Sequence, residues 1–260
     1  MEKRFLAPSE TAKAIIISAE TKASLSTVRL LILGIMAGAY IGLGAFASIV
    51  ISQTLGNIDI GLKKFSSGAV FPVGLMLVVF SGSELFTGNN LMTMALMDKK
   101  ISFKGLMRNW SLVYLGNFLG SIALACLIYK SQLVSGPVLD TTLSVGVGKM
   151  SLSFQSAFIR GILCNILVVL AVWISASAQD IISRTFSLWF PIMLFVLCGF
   201  EHSIANMFFI PLAKFAGLKS LWLDIWISNL IPVTLGNIFG GAIIIPTVYY
   251  ITYIVPAKEK

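Results

Sequence analysis

One histidine, two intramembrane carboxylates and a few amides carry the chemistry open to this chain. His202, the only histidine, follows Glu201 in "LCGFEHSIANMFF", residues 197–209, where Ser203 and Asn206 complete a polar patch. Residues 80–92, "FSGSELFTGNNLM", hold a second patch, with Glu84, Thr87, Asn89 and Asn90 set among glycines. Both patches interrupt stretches that otherwise carry no charge. An imidazole with an ordinary pKa near 6.5 suits proton exchange. Carboxylates and amides inside hydrocarbon either brace a backbone that has lost its helical hydrogen bonds or line a polar path. An intramembrane enzyme would need a Ser–His pair, paired aspartates or a metal cluster. One histidine and two separated glutamates supply none of these, so no enzyme, metal or cofactor is expected.

The elements that hold these residues follow from hydropathy. The chain has 260 residues, 57% hydrophobic and 12% charged, where about 25% charged is usual for a soluble domain. Uncharged runs cover residues 30–58, 65–97 (broken only by Glu84), 109–129, 161–179, 185–213 (broken only by Glu201) and 225–257. A membrane helix needs about 20 such residues. The expectation is an all-α polytopic membrane protein with six spans, because barrel strands alternate and do not give continuous apolar runs. The first 28 residues lack the order of a cleaved signal and are read as a short amphipathic helix on the membrane surface.

Six spans put both termini on one side. With that side cytoplasmic, Lys3, Arg4, Lys13, Lys22, Arg29, Lys99, Lys100, Lys104, Arg108, Arg184, Lys258 and Lys260 lie inside. That is twelve basic residues against seven outside, so both termini are placed inside, at the cell membrane. The net charge of +8 then reads as topology and lipid-headgroup contact. Nucleic-acid binding is not expected, since the basic residues are scattered. Cys126, Cys164 and Cys198 all fall within spans, form no CxxC pair and are read as small buried residues.

The two polar patches are copies of each other. Gly82/Gly199, Glu84/Glu201 and Asn89/Asn206 share an offset of 117. Downstream, "NWSLVYLGNFLGS" (109–121) matches "NLIPVTLGNIFGG" (229–241) at an offset of 120, and Gly34-Ile35-Met36 matches Gly161-Ile162-Leu163 weakly. One membrane domain, 1–260, thus contains two three-span repeats, about 29–130 and 155–256. Three is odd, so the second repeat is inverted, as in many transporters and channels. Gly82, Gly88 and Gly199 let the second and fifth helices break, and the nearby side chains partner the freed backbone groups. Half-helix N-termini at mid-membrane then favour an anion.

Several single residues stay open on sequence alone. Glu84 and Glu201 are read first as braces, with a role toward the solute as the other reading. A lone histidine is usually a satisfied core residue, but beside an intramembrane break, opposite Leu85 in the repeat, His202 is read as a pore residue and a neutral donor. Thr87 either reaches His202 across the axis or bonds its own backbone. Asn165 is either a packing group or a pore-lining donor, and Lys22 and Lys149 read bare are solvated charges.

"FSGSELFTG", "RGILCNILVVLAVW" (160–173), "GFEHSIANMFFIP" (199–211) and "NLIPVTLGNIFGG" together resemble the formate/nitrite transporter family over essentially the whole chain. The resemblance implies an aquaporin-like fold, a homopentamer with one pore per protomer, and passage of small monovalent anions such as formate, nitrite and hydrosulfide. It implies a pore centre at His202 and Thr87. It places Lys149, Asn165, Glu201 and Asn206 in one vestibule and Lys22 in the other. Two apolar slits would be formed by Phe71, Leu75, Leu85, Phe86, Val168 and Phe195, while Glu84 and Asn89 brace the break. The formate-channel branch has aspartate where Glu84 stands, and the chain looks most like the hydrosulfide-channel branch.

The expected mechanism has lysines concentrating the anion at the mouths. A proton supplied at the His202–Thr87 centre, or from vestibule water, then lets a neutral acid cross slits where a bare ion would lose its solvation. The rival is a neutral-solute pore for water, glycerol or ammonia, although no NPA motif and no histidine pair is present.

Overall fold

The structure, a computed structural model, describes residues 5–255. Lys3, Arg4, Lys258 and Lys260, counted toward the inside, lie outside the described residues, as do the last residues of the sixth apolar run and of the second repeat. Helix α1 (Pro8–Ser24) precedes the first span, α2 (Thr27–Ser52). The second span is α3 (Ile60–Val70) and α4 (Val73–Phe80), joined by a turn at Phe71–Pro72. It stops at Ser81 and resumes as a 3-10 turn, Gly88–Met92, and α5 (Thr93–Met97). Helix α6 (Phe103–Lys130) is the third span.

The order then repeats. Helix α7 (Gly136–Met150) precedes α8 (Phe154–Ser177), and α9 (Ile181–Cys198) breaks and resumes as α10 (Ser203–Phe215). The last span runs through α11 (Trp222–Ile225), α12 (Ile231–Ile238) and α13 (Ile245–Tyr253), linked by two wider π-helical turns. Six of these runs are long and apolar enough to cross a membrane. Helices are the form such runs take in lipid, since every backbone group must be satisfied within the segment.

Two features of the sequence set the frame. Gly82 and Gly199 adopt φ of +71° and +73°, the left-handed region in which a side chain is strained, and each ends the first part of a broken span. Gly88, expected to help the break, has no positive φ and sits in the 3-10 turn beyond it. Close helix crossings are the second feature. A Cβ on Gly120 would run into Ile35 O, and one on Gly240 into Ile162 O, so α2 packs backbone to backbone on α6 just as α8 packs on the last span.

The terminal helix departs from its expectation. Helix α1 does not lie on the membrane surface alone. Its Ala12, Ile15, Ile16 and Ala19 are buried, and it packs on α5, α6 and α8 beneath the first break. The segment between the halves, read as a linker, forms α7, which packs on α10. Helices α1 and α7 therefore occupy matching places ahead of each repeat, and the repeat extends beyond 29–130 and 155–256. Of the cysteines, only Cys164 is buried; Cys126 is half-buried and Cys198 is exposed on α9.

Candidate transport site

Each break is held by an asparagine from the last span of its own half. Asn117 Oδ1 accepts the Phe86 N–H at 2.9 Å, while its Nδ2 donates to Gly34 O at 2.8 Å and Glu84 O at 2.9 Å. Asn237 does the same in the second half, accepting from Ser203 N at 2.9 Å and donating to Gly161 O at 2.8 Å and Glu201 O at 3.0 Å. One amide thus satisfies two backbone groups that the broken helix frees, as hydrocarbon requires, and ties the break to a carbonyl of the neighbouring α2 or α8. The carboxylates were expected to do this. They have another task.

Glu84 Oε1 accepts from Lys22 Nζ at 2.7 Å, and its Oε2 accepts from Asn89 Nδ2 at 2.6 Å. Asn89 also donates to Asn109 Oδ1, whose Nδ2 reaches Lys22 O. The second half copies this. Glu201 accepts from Lys149 Nζ at 3.0 and 3.1 Å and from Asn206 Nδ2 at 2.6 Å, while Asn206 donates to Asn229, whose Nδ2 reaches Lys149 O. Lys22 and Lys149, read bare as solvated charges, are part-buried helix-end residues, each ion-paired to a buried glutamate. One detail differs: Asn89 Oδ1 accepts from Lys22 at 3.0 Å, whereas Lys149 spans both oxygens of Glu201 and leaves buried Asn206 Oδ1 without a partner among the described residues.

At the centre, Thr87 Oγ1 lies 2.8 Å from His202 Nε2, both residues buried. His202 is also the N-cap of α10, its Nδ1 accepting from Ala205 N at 3.1 Å. An accepting nitrogen carries no proton, so the neutral ring holds its hydrogen on Nε2 and donates it to Thr87. The threonine hydroxyl then has its own hydrogen to offer elsewhere.

Two cavities approach this pair from opposite ends of α2. One, of about 180 Å³, is lined by Ser52, Lys63, Lys149, Glu201 and His202, with Phe71 and Phe195 in its wall. Those rings meet edge to face with centroids 5.5 Å apart, and Phe195 stacks on His202 at 5.8 Å. The other, of about 570 Å³, is lined by α1, Lys22, Glu84 and Arg184 and ends on Leu75 and Leu85. It does not reach His202.

Three expected site residues sit elsewhere. Asn165, placed in the Lys149 vestibule by resemblance, is fully buried away from that cavity; its Nδ2 bonds Thr87 O, Asn90 Oδ1 and Asn237 O, tying the first break to the last span. Phe86 turns outward from the slits and packs edge to face on Trp110 and Tyr114, against a peripheral groove. Val168 is buried in the core and lines neither cavity. In return, Asn109, Asn117, Asn229 and Asn237 were not singled out, although all four stand at repeated positions in the aligned motifs. Lys63 and Arg184 were counted only for topology. Among the described residues no group of three or more His, Cys, Asp or Glu could hold a metal ion.

Comparison with known proteins bears on the fold. The family model described as "Formate/nitrite transporter" matches residues 9–251. A protein named "Probable formate transporter" from Methanothermobacter thermautotrophicus is 41% identical, over 98% of this chain and 99% of that one. Among solved structures, one titled "FNT family ion channel" superposes with a TM-score of 0.87 at 28% identity, covering 94% of this chain and 98% of its own. Another, titled "Pentameric formate channel with formate bound", has a TM-score of 0.79 at 33% identity, covering 88% and 98%. These are transport proteins, not enzymes.

Proposed function

The chain belongs to the formate/nitrite transporter family, and on that footing we propose that it is a pentameric membrane channel for small monovalent anions of weak acids, with both termini cytoplasmic. Formate leads the substrate list because the compared relatives carry it in their names. Nitrite and hydrosulfide share its charge, small size and weak-acid chemistry and belong to the same set. The hydrosulfide branch rests on the resemblance read from the sequence and on no individual residue, and the compared proteins are named for formate. A neutral-solute pore gains no support from these relatives.

One observation carries the reading. A single hydroxyl–imidazole pair stands between two vestibules, each floored by apolar side chains and each holding a lysine–glutamate pair. An anion entering from the Lys149 side meets the Phe71–Phe195 slit, where loss of water is costly for a charge. Beyond it, the Thr87 hydroxyl offers a hydrogen bond, kept available because His202 Nε2–H supplies the one that Thr87 accepts. The Leu75–Leu85 constriction follows, and then the wide Lys22 vestibule. Both imidazole nitrogens of His202 are engaged, so a proton that neutralises the anion comes from vestibule water, and His202 orients the hydroxyl.

The test is flux in liposomes containing the purified protein, with formate, nitrite, hydrosulfide, acetate and glycerol compared. Formate flux without any added cosubstrate is expected. Glycerol flux with no anion flux would overturn the reading.

A further inference from the structure

Among the described residues, each vestibule contains one charge that no carboxylate answers. The cavity on the Lys149 side is lined by three charged residues, Lys63, Lys149 and Glu201. The other is lined by Lys22, Glu84 and Arg184. Lys149–Glu201 and Lys22–Glu84 are ion pairs at 3.0 and 2.7 Å, with glutamates only 6% and 5% exposed. A closed pair sums to zero charge and exerts little pull on an ion more than a few ångströms away. What remains is Lys63 on one side and Arg184 on the other. Neither makes a salt bridge with any acid among the described residues.

Their positions match as well. Lys63 stands four residues after Asp59, the N-cap of α3, and Arg184 four residues after Asp180, the N-cap of α9. These two helices are the first parts of the two broken spans. The capping carboxylates are turned onto the backbone N–H of Leu62 and Ser183, and neither lines a cavity. A cation near a helix N-terminus opposes the macrodipole, so helix stability does not account for the placement. Arg184 is further held at the mouth by Nε donating to Ser175 O at 3.0 Å.

We propose that Lys63 and Arg184 are the charges that gather the anion into the two vestibules, while Lys22 and Lys149, neutralised by Glu84 and Glu201, shape the inner walls. The inference rests on the anion-channel reading. It adds two specificity-determining positions, one per mouth, that disfavour cations and raise the local concentration of any small anion. Their action is long-ranged, so it is set by ionic strength; the Debye length falls from about 30 Å at 0.01 M to about 3 Å at 1 M.

The experiment measures formate flux in liposomes for the parent, Lys63→Gln, Lys63→Arg, Arg184→Gln and Arg184→Lys at subsaturating formate, with an inert salt varied from about 0.01 to 1 M. The glutamine variants are expected to lose roughly three- to ten-fold of flux at low salt. The charge-preserving variants should stay near the parent, and all five should converge at high salt. Raising salt on the Lys63 side alone should erase the Lys63→Gln deficit and leave the Arg184→Gln deficit in place. Parent-like flux in both glutamine variants at low salt would overturn the proposal. So would a deficit that persists at high salt or appears equally in the charge-preserving variants, since that marks a structural role. A parent protein that passes no formate, nitrite or hydrosulfide would instead sink the channel reading itself.

Discussion

His202 Nε2 and Thr87 Oγ1 lie 2.8 Å apart at the meeting point of the two halves, and the other ring nitrogen is committed to the Ala205 N–H. The imidazole is thereby fixed in orientation and tautomer from both sides. Replacing it by leucine, which occupies the matching repeat position at Leu85, keeps apolar packing but removes both bonds. His202→Leu should fold and assemble, losing about 1 kcal/mol through the missing helix cap, and formate flux should stop or lose its pH dependence. A leucine variant with the parental flux and pH profile would remove His202 from the transport path.

The hydroxyl can be tested apart from the ring. Thr87→Val keeps the shape and leaves His202 Nε2–H without its acceptor, whereas Thr87→Ser restores the oxygen. Flux should fall sharply in the valine variant and return in the serine variant. Equal flux in both would show that the solute does not use this hydrogen bond.

Asn117 and Asn237 carry the breaks, each bonding one N–H and two carbonyls that lie in the membrane interior. Alanine at either site orphans the two groups of the break, since Gly34 O and Gly161 O lie within continuous helices, at about 1–3 kcal/mol for each one left dry. Asn117→Ala and Asn237→Ala should therefore melt well below the parent in detergent, with similar losses because the two sites are copies. A shift of less than a few degrees in either variant would mean that water replaces the amide.

How far the sequence foretold this site depends on which force sets each position. The six spans, the two breaks and the doubling of the chain were legible, because uncharged length and repeated Gly–Glu–Asn spacing record the needs of lipid directly. Asn117 and Asn237 stood in the aligned motifs, but an amide 33 or 36 residues from the backbone it satisfies leaves no local trace. The pairing of Lys22 with Glu84 was hidden for the same reason, as the partners are 62 positions apart. Phe86 was misplaced because a loop residue beside a break has no periodicity to say which way it faces.

Glu84 now has a defined role, which is to hold Lys22 and Asn89, and not to cap helix-end N–H groups. Glu84→Gln keeps one carbonyl acceptor, turns its NH2 toward the other donor and removes the charge that pairs Lys22, so it should cost part of what leucine costs. Glu84→Leu strands the Lys22 ammonium and one Asn89 hydrogen. Breaking a fully buried pair costs about 3–5 kcal/mol; with Lys22 still 28% exposed, about 2 kcal/mol is the expected loss. Chemical denaturation in detergent measures both. A leucine variant as stable as the parent would show that this pair contributes nothing to the fold.

Lys149 is the sharpest case, because its loss acts through its partner. Removing it by Lys149→Ser takes away a charge that Glu201 had cancelled and leaves a bare carboxylate in the vestibule, between the entering anion and His202. The variant should lose formate flux through repulsion from Glu201, and raising ionic strength should recover part of it. Lys149→Glu adds a second negative charge and should lose more. The decisive variant is the double one, Lys149→Ser with Glu201→Gln, in which both charges are gone and the mouth returns to the net charge of the parent. Flux in the double variant should exceed that in Lys149→Ser alone and return close to the parent's, a full recovery that is not possible if the pull of the Lys149 charge itself is needed. If the double variant passes no more formate than the single one at any salt concentration, Lys149 itself draws the anion, and neutralisation by Glu201 does not govern entry.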